Sequence, residues 1–466
     1  MKEKDNQIKI KLNTAVILIL LLIIIIVGTS LVIINKKDEI STDKKDTKNI
    51  TKSEQTQNYT KIDWATKYSN IDFSFKFLKM ENKKENIAYS PLSVKYALQM
   101  LNEGANGNTK NQIEKVIGNI GLEKYDNIKN ILSLENALYI RNTYSKHVKD
   151  EYKKKLLNGY NAEIKYDSFK SAANINKWIE NKTFGQIKNM LRDDIVTNPD
   201  NNVILINALA IDMEWKENFD SKDSYEGKFY LENGSEMTTT MMKKEKNKSD
   251  SIAYYKDNEI TAISMDLKEY ENQQMEFIAI MPNNNKLGDY IENFNATTFE
   301  NVINNMTVAS KTEGGLDIFI PKFSFDYELP LKNDLENLGI IDAFSPELAN
   351  FSNMSNISPF WVAQVLHKSN IDFTEKGVKA AAVTVISAEN GMKLADEEEN
   401  IEIKIDKPFM YVILDKKNGE IWFVGTVYEP NSWGFKKLNN PRRKYLILLL
   451  QMDSKKEGML AIWKIY

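Results

Sequence analysis

Residues 375–386 read Glu375-Lys376-Gly377-Val378-Lys379-Ala380-Ala381-Ala382-Val383-Thr384-Val385-Ile386. They begin as a turn and continue as small and β-branched residues that suit a strand. Ser387 to Asn400, a polar and acidic run, reads as an exposed loop. Small side chains at a loop's root leave room for that root to slip between two existing strands. Alternate side chains of a strand point to opposite faces. The even positions are Val378, Ala380, Ala382, Thr384, Ile386 and Ala388, and none is charged; Lys379 and Glu389 fall on odd positions. As a central strand, the segment could bury one face without burying an ionised group. The same parity suits an ordinary strand already seated in a sheet.

The rest of the chain narrows the function. With 466 residues, 42% hydrophobic and 27% charged, the composition is that of a globular protein. A net charge of −3 supplies no basic field for nucleic acid. There is no cysteine, which excludes disulfides, thiolate metal sites and cysteine nucleophiles together. His147 and His367 are the only histidines, so a Ser-His-Asp triad or a multi-histidine metal site has almost nothing to draw on. No nucleophile elbow, zinc-protease helix motif or phosphate-binding glycine loop is present. The expectation is a protein that is not an enzyme and needs no cofactor or metal.

The N-terminus carries a separate signal. Thr14 to Ile34 is uncharged and rich in Ile, Leu and Val, long enough to cross a hydrocarbon core of about 30 Å as a helix. Lys2, Lys4, Lys9 and Lys11 precede it and favour an inside N-terminus, although Lys36 and Lys37 blunt the asymmetry. Gly28-Thr29-Ser30 offers a weak cleavage site. The expected organisation is a cytoplasmic segment 1–13, a signal anchor 14–34, a disordered linker 35–60, a domain 61–431 and a C-terminal extension 432–466. The domain is placed outside the cell on a single-pass anchor, or secreted if the segment is cleaved.

Within the domain, Ser90 can cap a helix whose first residue is Pro91, with Val94, Ala97, Leu98 and Leu101 at helical spacing and Gly104 at its end. Thr109-x-x-Gln112 is a capping-box pattern for a second helix. A third begins at Ala172, with Ile175, Trp178 and Ile179 on one face. Strand-like runs are 202–211, 275–281, 316–325, 409–414 and 421–427. Long strands mixed with helices imply an α+β fold. In the extension, Tyr445 to Leu450 is apolar but too short to span a membrane. It is either an added strand or an accidental extension.

Several motifs in order resemble the serpin family, from about Ile62 to Asn431. Asn86 to Ser93, including Ser90-Pro91, resembles the family's second-helix entry, and Gly104 to Thr109 the turn after that helix. Ala172 to Lys188 resembles its helix-to-turn signature. Ile206-Asn207-Ala208-Leu209, with Trp215 and Phe219-Asp220, resembles the third strand of the main sheet, and Pro321-Lys322-Phe323 the sixth. Leu338 to Ser345, Val365 to Lys368, Pro408-Phe409 and Phe423 to Val427 complete the series. Glu375 to Ile386 then resembles a reactive-loop hinge of a bacterial membrane-anchored or secreted member.

The resemblance implies a large mixed main sheet, two smaller sheets, about nine helices and an exposed reactive loop. It implies an extracellular, monomeric inhibitor of serine-type endopeptidases, with cysteine proteases as a further target class. The protease would cut the loop and form a covalent acyl complex, and the loop would insert into the main sheet. The hinge would be Glu375, Gly377, Val378, Ala380, Ala381 and Ala382. Ser90, Ser93, Asn207 and His367 would form a polar cluster under the middle of the sheet. Trp215, Lys322 and Glu375 would sit at its top, where insertion starts. Without the family, His367 reads as a satisfied core histidine and Lys322–Glu375 as an exposed ion pair worth little.

The family spacing from Glu375 places the cut after Gly391. A slightly longer loop moves it to Met392, suited to chymotrypsin- or elastase-like pockets, or to Lys393, suited to trypsin-like ones. The alternative function is a non-inhibitory serpin acting in surface binding or adhesion. Against it, Ala380-Ala381-Ala382 keeps the run of small residues that insertion needs.

Overall fold

The computed structural model describes residues 68–118, 122–185, 189–378, 400–430 and 445–452. Three sheets carry the fold, with nine α-helices among the described residues. The eight strands of the largest sheet, numbered in chain order, are β1 (Leu132–Arg141), β2 (Glu163–Asp167), β3 (Asn201–Ile211), β4 (Met213–Glu214), β5 (Phe323–Pro330), β6 (Phe360–Thr374), β7 (Gly377–Val378) and β8 (Tyr445–Met452). Their order across the sheet is β2-β1-β3-β8-β6-β7-β4, with β5 on the far side of β6. The β1–β2 pair is parallel and the others antiparallel, so the sheet is mixed. A seven-stranded and a four-stranded sheet complete the α+β architecture.

Helix Pro91–Gly104 starts as expected: the Ser93 N–H donates to Ser90 Oγ at 3.1 Å, and Pro91 occupies the first turn. Gly104 ends the helix for a packing reason. A Cβ there would lie 2.6 Å from Met354 Cε and 3.1 Å from the Tyr152 ring. The next helix, Gly107–Ile117, begins earlier than its capping-box pattern suggested. Asn106 is the cap, accepting from the Gly107 N–H at 2.9 Å. Thr109 lies inside the helix and its hydroxyl accepts from the Asn350 N–H, while Gln112 is engaged with Ile341 and Asp342. Tertiary partners have claimed both side chains of the pattern.

The run 316–325 reads as one strand but is two. Leu316–Pro321 belongs to the four-stranded sheet and β5 to the main one. The chain changes sheets at Lys322, whose N–H donates to the Thr240 carbonyl at 2.8 Å.

The apolar faces of these elements form separate layers. Helix Ala173–Lys182 buries Ile175, Trp178 and Ile179 with Ala137, Tyr139, Ile204, Ile206 and Ala208 of β1 and β3, covering one face of the main sheet. Helix Pro91–Gly104 packs beneath the opposite face with Leu138, Ile140, Val203, Leu205 and Val365. β3 is buried along its whole length, as a central strand covered on both faces must be. Among the described residues no helix is long and apolar enough to cross a membrane. The Thr14–Ile34 span and the 35–60 linker lie outside the described residues.

Candidate functional site

The site is a strand-wide slot in the main sheet, with β3 and β4 on one side and β6 on the other. Its upper end holds β7. Gly377 pairs with Thr374 and Glu214, and Val378 with Phe373 and Met213. Gly377 has φ +153°, and a Cβ there would lie 2.1 Å from the Met213 carbonyl oxygen, so only glycine lets the two backbones approach this closely. Val378 is 2% exposed and packs in one apolar cluster with Trp215, Ile371 and Phe373. Val378 is the one even-numbered hinge position among the described residues.

The turn before β7 is clamped. Lys322 Nζ lies 2.9 Å from Glu375 Oε2, with both side chains almost fully buried, and the Ser224 hydroxyl donates to Glu375 Oε1 at 3.1 Å. An exposed ion pair is therefore not what forms here. Trp215 Nε1 donates to the Thr374 carbonyl at 2.8 Å, and the Trp215 and Phe219 N–H groups donate to the carbonyls of Lys376 and Glu375. Trp215 thus fills the core and ties down the turn with its one polar atom. Sequence reasoning missed Ser224 and Thr374, because a lone hydroxyl in an unpatterned stretch carries no local signal.

Below this, Ser90, Ser93 and His367 come together. The Ser90 N–H donates to His367 Nε2 at 3.0 Å, so that nitrogen is the unprotonated acceptor and the other ring nitrogen carries the proton of a neutral imidazole. The Ser369 hydroxyl donates to the Ala88 carbonyl, a further contact that sequence reasoning did not anticipate. Asn207 does not join this group directly. Its amide donates to Asn136 Oδ1 at 2.9 Å, and the Asn136 amide donates to the Tyr160 carbonyl at 2.8 Å. Asn207 and His367 both face Leu446 in register, from opposite sides of β8. The four-residue cluster is split because a strand lies between β3 and β6.

His367→Phe leaves the buried Ser90 N–H without its acceptor and should lower unfolding stability by about 1–3 kcal/mol. His367→Gln, which keeps an acceptor, should lose less. Urea denaturation of the two variants checks the order.

The hinge residues Ala380, Ala381 and Ala382 and the candidate cleavage residues Gly391, Met392 and Lys393 lie outside the described residues. The chain resumes at Asn400 and enters the four-stranded sheet as Ile401–Lys404 beside Leu316–Pro321. The loop therefore connects the slot to a different sheet.

Comparison with known proteins agrees with this architecture. The family model for Serpin (serine protease inhibitor) matches residues 68–430. An uncharacterized serpin-like protein of Methanosarcina mazei is 30% identical over 365 residues, covering 74% of this chain and 82% of the relative. Neuroserpin of Mus musculus is 28% identical, covering 76% of this chain and 88% of that protein. The native-state crystal structure of tengpin, a thermophilic serpin, superimposes with a TM-score of 0.63 at 27% identity, covering 84% of this chain and 98% of that one. Tengpin in its latent state gives 0.61 at 26% identity, covering 82% and 100%.

Proposed function

The chain belongs to the serpin family, whose members are typically protease inhibitors, and on that premise we propose that it inhibits an endopeptidase by offering the loop 379–399 as a substrate. One observation carries the reading. β7 is paired on both sides at the head of a slot, with Val378 buried. A protease that cuts the loop frees the hinge to continue down the slot as a strand. The protease, still joined to the loop through its acyl bond, is drawn along.

The energetics are adequate. In a slot cleared of β8, about a dozen new ladder hydrogen bonds at about 1 kcal/mol each, with apolar burial added, match the stability of a whole domain. A displacement of 1 Å in an active site already slows it about 100-fold. In this reading Glu375 and Gly377 anchor the hinge, and Val378, Ala380, Ala381 and Ala382 lead the insertion. Lys322 and Trp215 hold the head of the slot. Ser90, Ser93, Asn207 and His367 line its middle. The residue before the cut is Gly391, Met392 or Lys393. The Thr14–Ile34 segment would hold the inhibitor at the outer face of a membrane.

The filled lower half of the slot favours a second reading, a non-inhibitory serpin that binds partners at a surface. A panel of trypsin-, chymotrypsin-, elastase-, subtilisin- and papain-like proteases separates the two. The inhibitory reading predicts a complex that survives denaturing electrophoresis and a released fragment beginning within residues 391–395. Cleavage with no such complex and no gain in thermal stability, also in a chain whose residues 445–452 have been displaced from the slot, supports the binding reading.

A further inference from the structure

The segment after the family domain is not a bystander, because β8 occupies the slot. It runs antiparallel to both neighbours. Tyr445 faces Ala208 and Lys368, Leu446 faces Asn207 and His367, and Leu448 faces Leu205 and Val365. At the head of the same slot, Val378 faces Met213 and Phe373. Each residue added after Val378 would step back one place on both neighbours. Val383 would then face Ala208 and Lys368, Thr384 would face Asn207 and His367, and Ile386 would face Leu205 and Val365. These are the partners that Tyr445, Leu446 and Leu448 already hold, in the same direction and register. Room remains only for the places of Lys379 to Ala382.

The sequence of the tail suits residence there. Leu446-Ile447-Leu448-Leu449-Leu450 is apolar at both parities, the pattern of a strand covered on both faces. The segment 431–444 that leads to it can reach about 50 Å at about 3.6 Å per residue.

We propose that β8 is a built-in competitor for the insertion slot and that its release licenses trapping. This rests on the inhibitory reading above. While β8 is paired, a cut loop enters no further than Ala382. Water then attacks the acyl carbon, the bond to the protease nucleophile breaks, and the nucleophile regains its proton. The loop ends in a carboxylate and the protease leaves active. With β8 released, the hinge takes its partners.

The chain contains no cysteine, so Ala208→Cys with Tyr445→Cys in the full-length protein can form a single intramolecular bridge. Facing residues of an antiparallel pair have Cα atoms about 4.5–5.5 Å apart, within disulfide range. Leu448→Pro, also in the full-length chain, removes a ladder N–H from a strand with neighbours on both sides and should eject it. The oxidised double variant should be cut by the panel proteases without a covalent complex and without thermal stabilisation. Reduction should restore both, and Leu448→Pro should trap a larger fraction of protease than the parent chain.

Failure of the disulfide to form overturns the proposal, as does trapping by the oxidised form equal to that of the reduced form. A reduced variant and a Leu448→Pro chain that neither trap nor gain stability on cleavage overturn it too. Stabilisation on cleavage in the reduced form alone, with no covalent complex in either, upholds the competition and rejects only the inhibitory reading.

Discussion

Ala380→Arg should convert the inhibitor into a plain substrate. Counting on from Val378, residue 380 of an inserted hinge faces Ile211 on one side and Ile371 on the other. Both are buried in the apolar cluster that contains Trp215 and Phe373. Facing residues of neighbouring strands share a face of the sheet, so the guanidinium would have to enter that cluster. A charge buried without a partner costs several kcal/mol, and about 1.4 kcal/mol is a factor of ten in rate. Insertion should slow at least about a hundredfold, long enough for the acyl bond to hydrolyse first. In the Leu448→Pro background, where β8 no longer holds the slot, titration of protease against inhibitor reads this as a stoichiometry rising from near one to far above ten. Ala381→Arg, on the opposite parity, should do less. An unchanged stoichiometry for Ala380→Arg would mean that the hinge does not enter the sheet.

Lys322→Met should be the most destabilising single change in the clamp. It leaves Glu375 almost fully buried with only the Ser224 hydroxyl among the contacts described above for its carboxylate. Breaking a buried pair from one side costs about 3–5 kcal/mol, whereas replacing both partners by neutral groups of similar size can cost almost nothing. Lys322→Met with Glu375→Gln should therefore recover most of the loss. Equilibrium unfolding of the two single variants and the double variant measures the coupling. A double variant as weak as the sum of the singles would show that the two groups act separately.

Much of this architecture is legible in short motifs. Ser90-Pro91 marks a helix start through capping chemistry, and the small and β-branched run after Glu375 marks a strand, described as far as Val378. Both depend on neighbours in the chain. What escapes is decided by distant partners. Leu316 to Phe325 reads as one strand because nothing local marks Lys322 as the crossing point between two sheets. Asn106 displaces Thr109 as a cap because Asn350 takes the threonine hydroxyl. The family motifs single out Asn207 and His367 but not their separation, since it depends on where residues 445–452 pair. Their apolar run announces a strand and says nothing about which edges it joins.

A cut hinge should continue down the slot from Val378. The most direct test is a cysteine bridge that reads this register. In the full-length chain with Leu448→Pro to clear the slot, Leu205→Cys and Ile386→Cys should face one another only after insertion. No bridge should form in the intact protein, and rapid bridging should follow a single cut within residues 391–395, seen as a mass change under mild oxidation. A cut loop that leaves both thiols free would contradict this insertion.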